Sequence, residues 1–289
     1  MYEEFYNLDR EPFRLSPDAR LCYRHPSYKK AKAYMQYALH RGEGFVMVTG
    51  QPGTGKSTLI DDLVHDLSDG NTVFASLACT QIEADDLLRL VVLNFGLNGR
   101  VEQKALLLHD LEGLFLKLRR EGKRPLLIID EAQDLPANAL EELRLLTNLQ
   151  QNNEPLLQIF LVGQEELRQT VLSPGLTQLH QRIVAACHLE ALTLEFTEEY
   201  VKHRLAQVGW KGDPSFDPSI FSYMHRFSGG IPRLINTICG RLMLHGMVEE
   251  LHEIGENDIR EVIESLNEEQ LLPVNRNLGQ SPTADHMWR

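Results

Sequence analysis

The segment Phe45-Val46-Met47-Val48-Thr49, followed by Gly50-Gln51-Pro52-Gly53-Thr54-Gly55-Lys56-Ser57-Thr58, constrains this chain more than any other. A β-branched apolar run ends on a glycine-rich loop, and a helical segment from Lys56 to about Leu67 follows. Strand, GxxxxGK[ST] loop and helix is the order in which such a loop cradles phosphate. Gly50, Gly53 and Gly55 let the backbone curl until successive N–H groups point inward as an anion nest. The positive end of the following helix faces the same point. Lys56 adds a full charge at the β- and γ-phosphates of a nucleotide, and Ser57 offers a hydroxyl to Mg²⁺.

The rest of the chain alternates in a way that suits such a loop. Short, nearly all-apolar runs at 45–49, 72–77, 125–130, 157–163 and 183–189 read as strands. Helical spacing occupies 83–95, 102–121, 137–150 and 178–182 between them. Strands of this kind separated by helices predict a parallel sheet covered on both faces, a three-layer α/β/α core. After about residue 193 the strands are expected to stop. Residues 197–207, 217–227, 231–247 and 256–267 read as helices, with Asp217-Pro218 and Asn257-Asp258 as capping entries. The expected organisation is an N-terminal strap at 1–28, an α/β core at 29–192, a helical domain at 193–268 and a flexible tail at 269–289. No internal repeat is found.

Composition narrows the class. With 43% hydrophobic and 24% charged residues, the chain is globular rather than largely disordered. Lys plus Arg total 29 against 41 Asp plus Glu, a net charge of -12, which disfavours a general nucleic-acid coating protein. Cys22, Cys79, Cys187 and Cys239 are far apart and read as small buried hydrophobes in a reducing compartment. No stretch of 18 apolar residues and no secretory leader is found, so the expectation is a soluble, cytoplasmic protein without a transmembrane segment.

A second constellation sits at Leu126-Leu127-Ile128-Ile129-Asp130-Glu131-Ala132-Gln133, a buried strand ending in two acids. With this strand next to the loop strand, Asp130 would lie near the metal and Glu131 would orient or deprotonate the attacking water. A polar side chain at the end of the strand Val162-Gly163-Gln164 would sit between the phosphate loop and the acidic strand, able to position water; Gln164 is the candidate, against an ordinary strand-end polar residue. Lys117, Arg119, Arg120, Lys123 and Arg124 close a helix and suit its C-terminal dipole and a solvated face. A nucleic-acid contact is their minority reading.

GQPGTGKST, LLIIDEAQ, FLVGQEEL, LHQRI and FSGGIPRLIN, in this order, resemble AAA+ ATPases. The closer resemblance is to the general secretion pathway protein A (ExeA-like) group, and within it to the secretion ATPase found beside exosortase/PEP-CTERM exopolysaccharide loci. The opening YNLDREPFRLSPDARLCYRHPSY is similar to that group's N-terminal strap, and the resemblance covers about residues 1–268. It implies ATP and Mg²⁺ as ligands, a C-terminal helical lid, and ATP-dependent self-association, with a ring as one form. It implies secretion or polysaccharide-export partners, with peripheral attachment at the inner membrane through one of them. It further implies Gln164 as sensor 1, where many AAA+ proteins carry Asn. Arg182 is implied as an arginine finger serving a neighbouring copy, against a surface salt bridge. Arg233 is implied as sensor 2, against an exposed helix-start arginine. Tyr6, Leu8, Pro12 and Phe13 are placed near the adenine or in ordinary core. The alternative function within the same resemblance is an ATP-dependent DNA-binding transposition ATPase of the MuB and TniB type.

Overall fold

The computed structural model describes residues 1–269 except 17, 68–69, 79–81 and 102; the expected tail, from residue 270 on, lies outside the described residues, as does Cys79. Five strands form the main sheet: β1 (Phe45–Gly50), β2 (Thr72–Ala78), β3 (Arg124–Asp130), β4 (Gln158–Gly163) and β5 (Ile183–Leu189). Their order is β2-β3-β4-β1-β5, every pairing parallel. The acidic strand β3 is therefore not adjacent to β1, contrary to the sequence expectation, because β4 is inserted between them. Non-local pairing decides this order, and strand composition does not report it.

Alternation along the strands explains why both faces are covered. Phe45, Met47, Leu127, Ile129, Ile159 and Leu161 join one buried cluster with Leu87, Val91, Leu111, Phe115 and Leu143. Those partners come from helices α3 (Ala84–Asn94), α4 (Lys104–Arg120) and α5 (Ala137–Leu146). Val46, Val48, Leu126, Ile128, Phe160 and Val162 face the other way. They meet Tyr28, Ala31 and Met35 of α1 (Pro26–Arg41) and Leu59 and Leu63 of α2 (Lys56–Asp66). β1 and β4 are buried throughout and nearly all apolar, as a strand covered on both sides should be; the buried polar exception in β4, Gln158, donates to the Ala38 carbonyl at 2.8 Å. The expected helix at 137–150 stops at Leu146. Gln150–Gln151 instead pairs with Glu154–Pro155 in a hairpin, turned by Asn152 and Asn153 at positive φ, which asparagine tolerates better than most residues. Helix α6 (Glu165–Val171) and a single turn at Thr177–His180 complete this part.

The chain divides into two compact units, Pro17–Glu190 and a second made of Met1–Ser16 with the chain from Ala191 on. The second unit carries α7 (Leu194–Ala206), α8 (Ser219–Ser228), α9 (Pro232–Val248) and α10 (Glu256–Glu268) around Ile235, Ile238, Leu242, Ile259 and Ile263. The expected 1–28 strap is thus split at Ser16. Its first part is held by hydrogen bonds inside the helical unit, from Tyr6 Oη to the Leu251 carbonyl at 3.0 Å and from the Asp9 N–H to Val208 at 2.9 Å. Tyr6, Leu8 and Phe13 are buried. Strands do not stop at 193 either: Ser215–Phe216 pairs in parallel with Glu253–Ile254. Helix α7 starts earlier than expected because the Thr193 side chain caps it, accepting from the Phe196 N–H. At α10 the cap is Gly255, whose N–H donates to Asp258.

Candidate functional site

Gly50 closes β1 in a place where no side chain fits. A Cβ there would stand 2.8 Å from Thr54 Oγ1 and 2.9 Å from the Leu189 carbonyl. The loop then turns through Gly55 at φ +100, a conformation that favours glycine, and α2 starts at the next residue. Thr54, 2% exposed, pins the turn from inside by donating to the Gln51 carbonyl at 2.8 Å. Gln51, Pro52 and Ser57 are exposed, Gly53 and Thr58 half-buried.

Lys56 is 6% exposed, and its Nζ donates to the Gly50 carbonyl at 2.9 Å and the Gln51 carbonyl at 3.2 Å. Burial pulls its pKa below the ordinary lysine value, with Glu131 and then Asp130 working against the fall. The ammonium thus rests on loop carbonyls that a phosphate oxygen can replace. Ser57 Oγ donates to Asp130 Oδ2 at 3.2 Å across 73 residues of sequence. One hydroxyl and one carboxylate from two elements are the hard-oxygen set that Mg²⁺ takes beside phosphate and water, so these residues fit the ion. Asp61, one helical turn beyond Ser57, has its pKa raised by burial and then by Asp130; no motif spacing marks it.

Glu131 follows directly, with φ +51, an uncommon conformation for a non-glycine residue and one that clusters at functional sites. Its N–H donates to Asp130 Oδ1 at 2.9 Å. Gln133, passed over in the sequence, donates from Nε2 to Glu131 Oε2 at 2.8 Å and accepts from the Gln164 N–H at 3.0 Å. The DEAQ spacing was the available signal. Gln164 occupies the N-cap position of α6, without a side-chain cap bond, at the end of β4, between β1 and β3. Beside it Thr49 Oγ1 lies 2.9 Å from His188 Nδ1, which stands 3.5 Å from Glu165.

Arg182 is not part of this cluster. Phe45 pairs with Ile183 while Gly50 pairs with Leu189, so Arg182 sits at the far end of the sheet, about 20 Å away at roughly 3.3 Å per residue. Its guanidinium donates to Thr147 Oγ1 at 2.5 Å and Asn148 Oδ1 at 2.7 Å. Arg233, in the other unit, is exposed in the first turn of α9 behind Pro232. In the basic segment, Arg119 pairs with Glu154, Lys123 with Glu121, and Arg124 donates to the Leu39 and His40 carbonyls. Cys239 is buried and Cys22 half-buried; Cys187 is half-buried, its thiol pushed up to about 12 by burial. No helix among the described residues is long and apolar enough to cross a membrane.

A family model described as AAA domain matches residues 39–171. The chain is 40% identical over 261 residues to General secretion pathway protein A of Aeromonas hydrophila, covering 90% of this chain and 47% of that protein. It therefore spans about half the length of that relative. Among solved structures it is similar to the ORC2 protein of Aeropyrum pernix (TM-score 0.64, 18% identity, 89% of this chain and 72% of that one). It is also similar to Cdc6p of Pyrobaculum aerophilum (0.69, 16%, 89% and 71%). The RuvB Holliday junction branch migration motor of Thermotoga maritima gives 0.54, with 19% identity over 83% of this chain and 68% of that one. At these identities the likeness establishes the fold, which is the AAA P-loop fold.

Proposed function

We propose that this chain binds and hydrolyses ATP with Mg²⁺, and that the nucleotide cycle drives conformational change in a secretion or exopolysaccharide-linked assembly. The observation carrying the chemical part is the Ser57–Asp130 contact at 3.2 Å beneath a loop whose lysine is buried on its own carbonyls. On this reading the N–H groups of residues 50–57 take the phosphates, and Lys56 Nζ leaves Gly50 and Gln51 for the β- and γ-oxygens. Bound Mg²⁺, held by Ser57 and Asp130, supplies charge neutralisation at those phosphates. Glu131 orients the attacking water and receives its proton at a carboxylate oxygen. Gln164, capping the strand between β1 and β3, holds that water on its other side.

Arg182 cannot reach the site of its own chain across the length of the sheet. We assign it to the site of a second copy, which makes turnover depend on self-association. Arg233 is assigned as the arginine through which the helical unit responds to the γ-phosphate, a role that rests on the GGIPR likeness. Secretion partners are inferred from the similarity to General secretion pathway protein A.

The test is Glu131→Gln. It should bind Mg-ATP as the wild type does and release phosphate at least about 100-fold more slowly, within the range of a lost general base. Unchanged phosphate release would remove Glu131 from this role.

A further inference from the structure

We propose that Gln133 is the positioning residue for Glu131: its side-chain amide is a fixed bridge that ties the carboxylate to the end of β4. The proposal rests on the hydrolytic reading above and adds a residue to it.

The orientation of the amide follows from chemistry. The Gln164 backbone N–H can only donate, so the Gln133 atom facing it at 3.0 Å must be the carbonyl oxygen. The NH₂ then has to face Glu131 Oε2, at 2.8 Å, and donate to it. One carboxylate oxygen is held by this bond, which leaves Oε1 to meet water. The place is shaped for the amide. A Cβ on Gly163, the last residue of β4, would lie 2.7 Å from Gln133 Oε1, so glycine is what lets the amide reach the strand end. Glu131 itself is in the left-handed region at φ +51, an uncommon backbone conformation for a residue with a side chain. A single bridge then spans the acidic strand's end and the neighbouring strand's end, where Gln164 begins α6. A shift of β4 against β3 would be felt by the Glu131 carboxylate through two hydrogen bonds.

Gln133→Glu separates this role from packing. It keeps length, shape and an acceptor for the Gln164 N–H, but sets an acceptor against Glu131 where a donor stood. Phosphate release by the wild type is measured first; a wild type without turnover overturns the hydrolytic reading itself. With an active wild type, Gln133→Glu should lower kcat about 10-fold or more, as misplaced catalytic groups do. KM and the affinity for a fluorescent ATP analogue should stay within about twofold. Gly163→Ala, whose Cβ would crowd the amide at 2.7 Å and the Leu167 side chain at 3.0 Å, should reproduce this pattern. In a Glu131→Gln background, Gln133→Glu should cost nothing further, because both act on one group. Should Gln133→Glu not fold, Gly163→Ala and Gln133→Met are read in its place against the same expectations. A kcat within about twofold of wild type overturns the proposal. So does a loss of nucleotide affinity in proportion to rate, or a full additional loss in the Glu131→Gln background, since each is what a structural role gives.

Discussion

Lys56 and Arg204 are both buried cations, at 6% and 8% exposure, one in each unit, and they are held in opposite ways. Arg204 is committed. Its Nε donates to the Pro12 carbonyl at 2.6 Å and its Nη1 to Tyr200 Oη at 2.8 Å, and Tyr200 donates on to Asn236 Oδ1 at 2.8 Å. These bonds fix the first residues of the chain to α7 and α9, and nothing in the arrangement is poised to change. Lys56 rests on two carbonyls of its own loop, and burial pulls its pKa down. Equal burial therefore serves two ends. A planar fork with matched acceptors builds structure, whereas a point charge on replaceable acceptors keeps a place for an incoming anion.

Substitutions can break this contrast, and the largest effect is expected at Lys56. Lys56→Ala should weaken Mg-ATP binding at least about 100-fold, roughly 2.7 kcal/mol, while the ligand-free chain melts close to the wild type. A melting temperature that falls together with the affinity would show that Lys56 is a structural cation like Arg204.

Arg204→Met should do the reverse. It strands the Pro12 carbonyl, at about 1–3 kcal/mol for a buried unsatisfied group, and takes one donor from the Tyr200 hydroxyl, which keeps its bond to Asn236, with no change in Mg-ATP affinity at temperatures where the chain is folded. Denaturant unfolding checks the loss, and a stability within error of wild type would remove Arg204 from its role. Tyr200→Phe sharpens the comparison at the small end. It removes one donor from Asn236 and one acceptor from Arg204, and should cost about 1 kcal/mol in the same assay.

The legible parts of the molecule were the local ones. Gly50, Gly53, Gly55, Lys56 and Ser57 carry their meaning in spacing, as do Asp130 and Glu131 at the end of an apolar run. Alternation of apolar strands and helices placed the five strands of the sheet within a residue or two. What escaped was fixed at long range. The direct adjacency of β3 to β1 was expected and is absent, although Gln164 was expected between the loop and the acidic strand and its strand does lie there. Gln133 shows its use only when Gly163 and Gln164 arrive beside it from 31 residues further along. Arg204 was invisible because its partners include the backbone carbonyls of residues 12 and 14, which any sequence would supply. The division of the first 28 residues at Ser16 escaped for the same reason.

Calorimetric titration of the purified, folded chain with Mg-ATP tests the central claim most directly. A single saturable binding event that disappears in Lys56→Ala is the predicted result. No heat in the wild type, or the same heat in both proteins, would contradict the account.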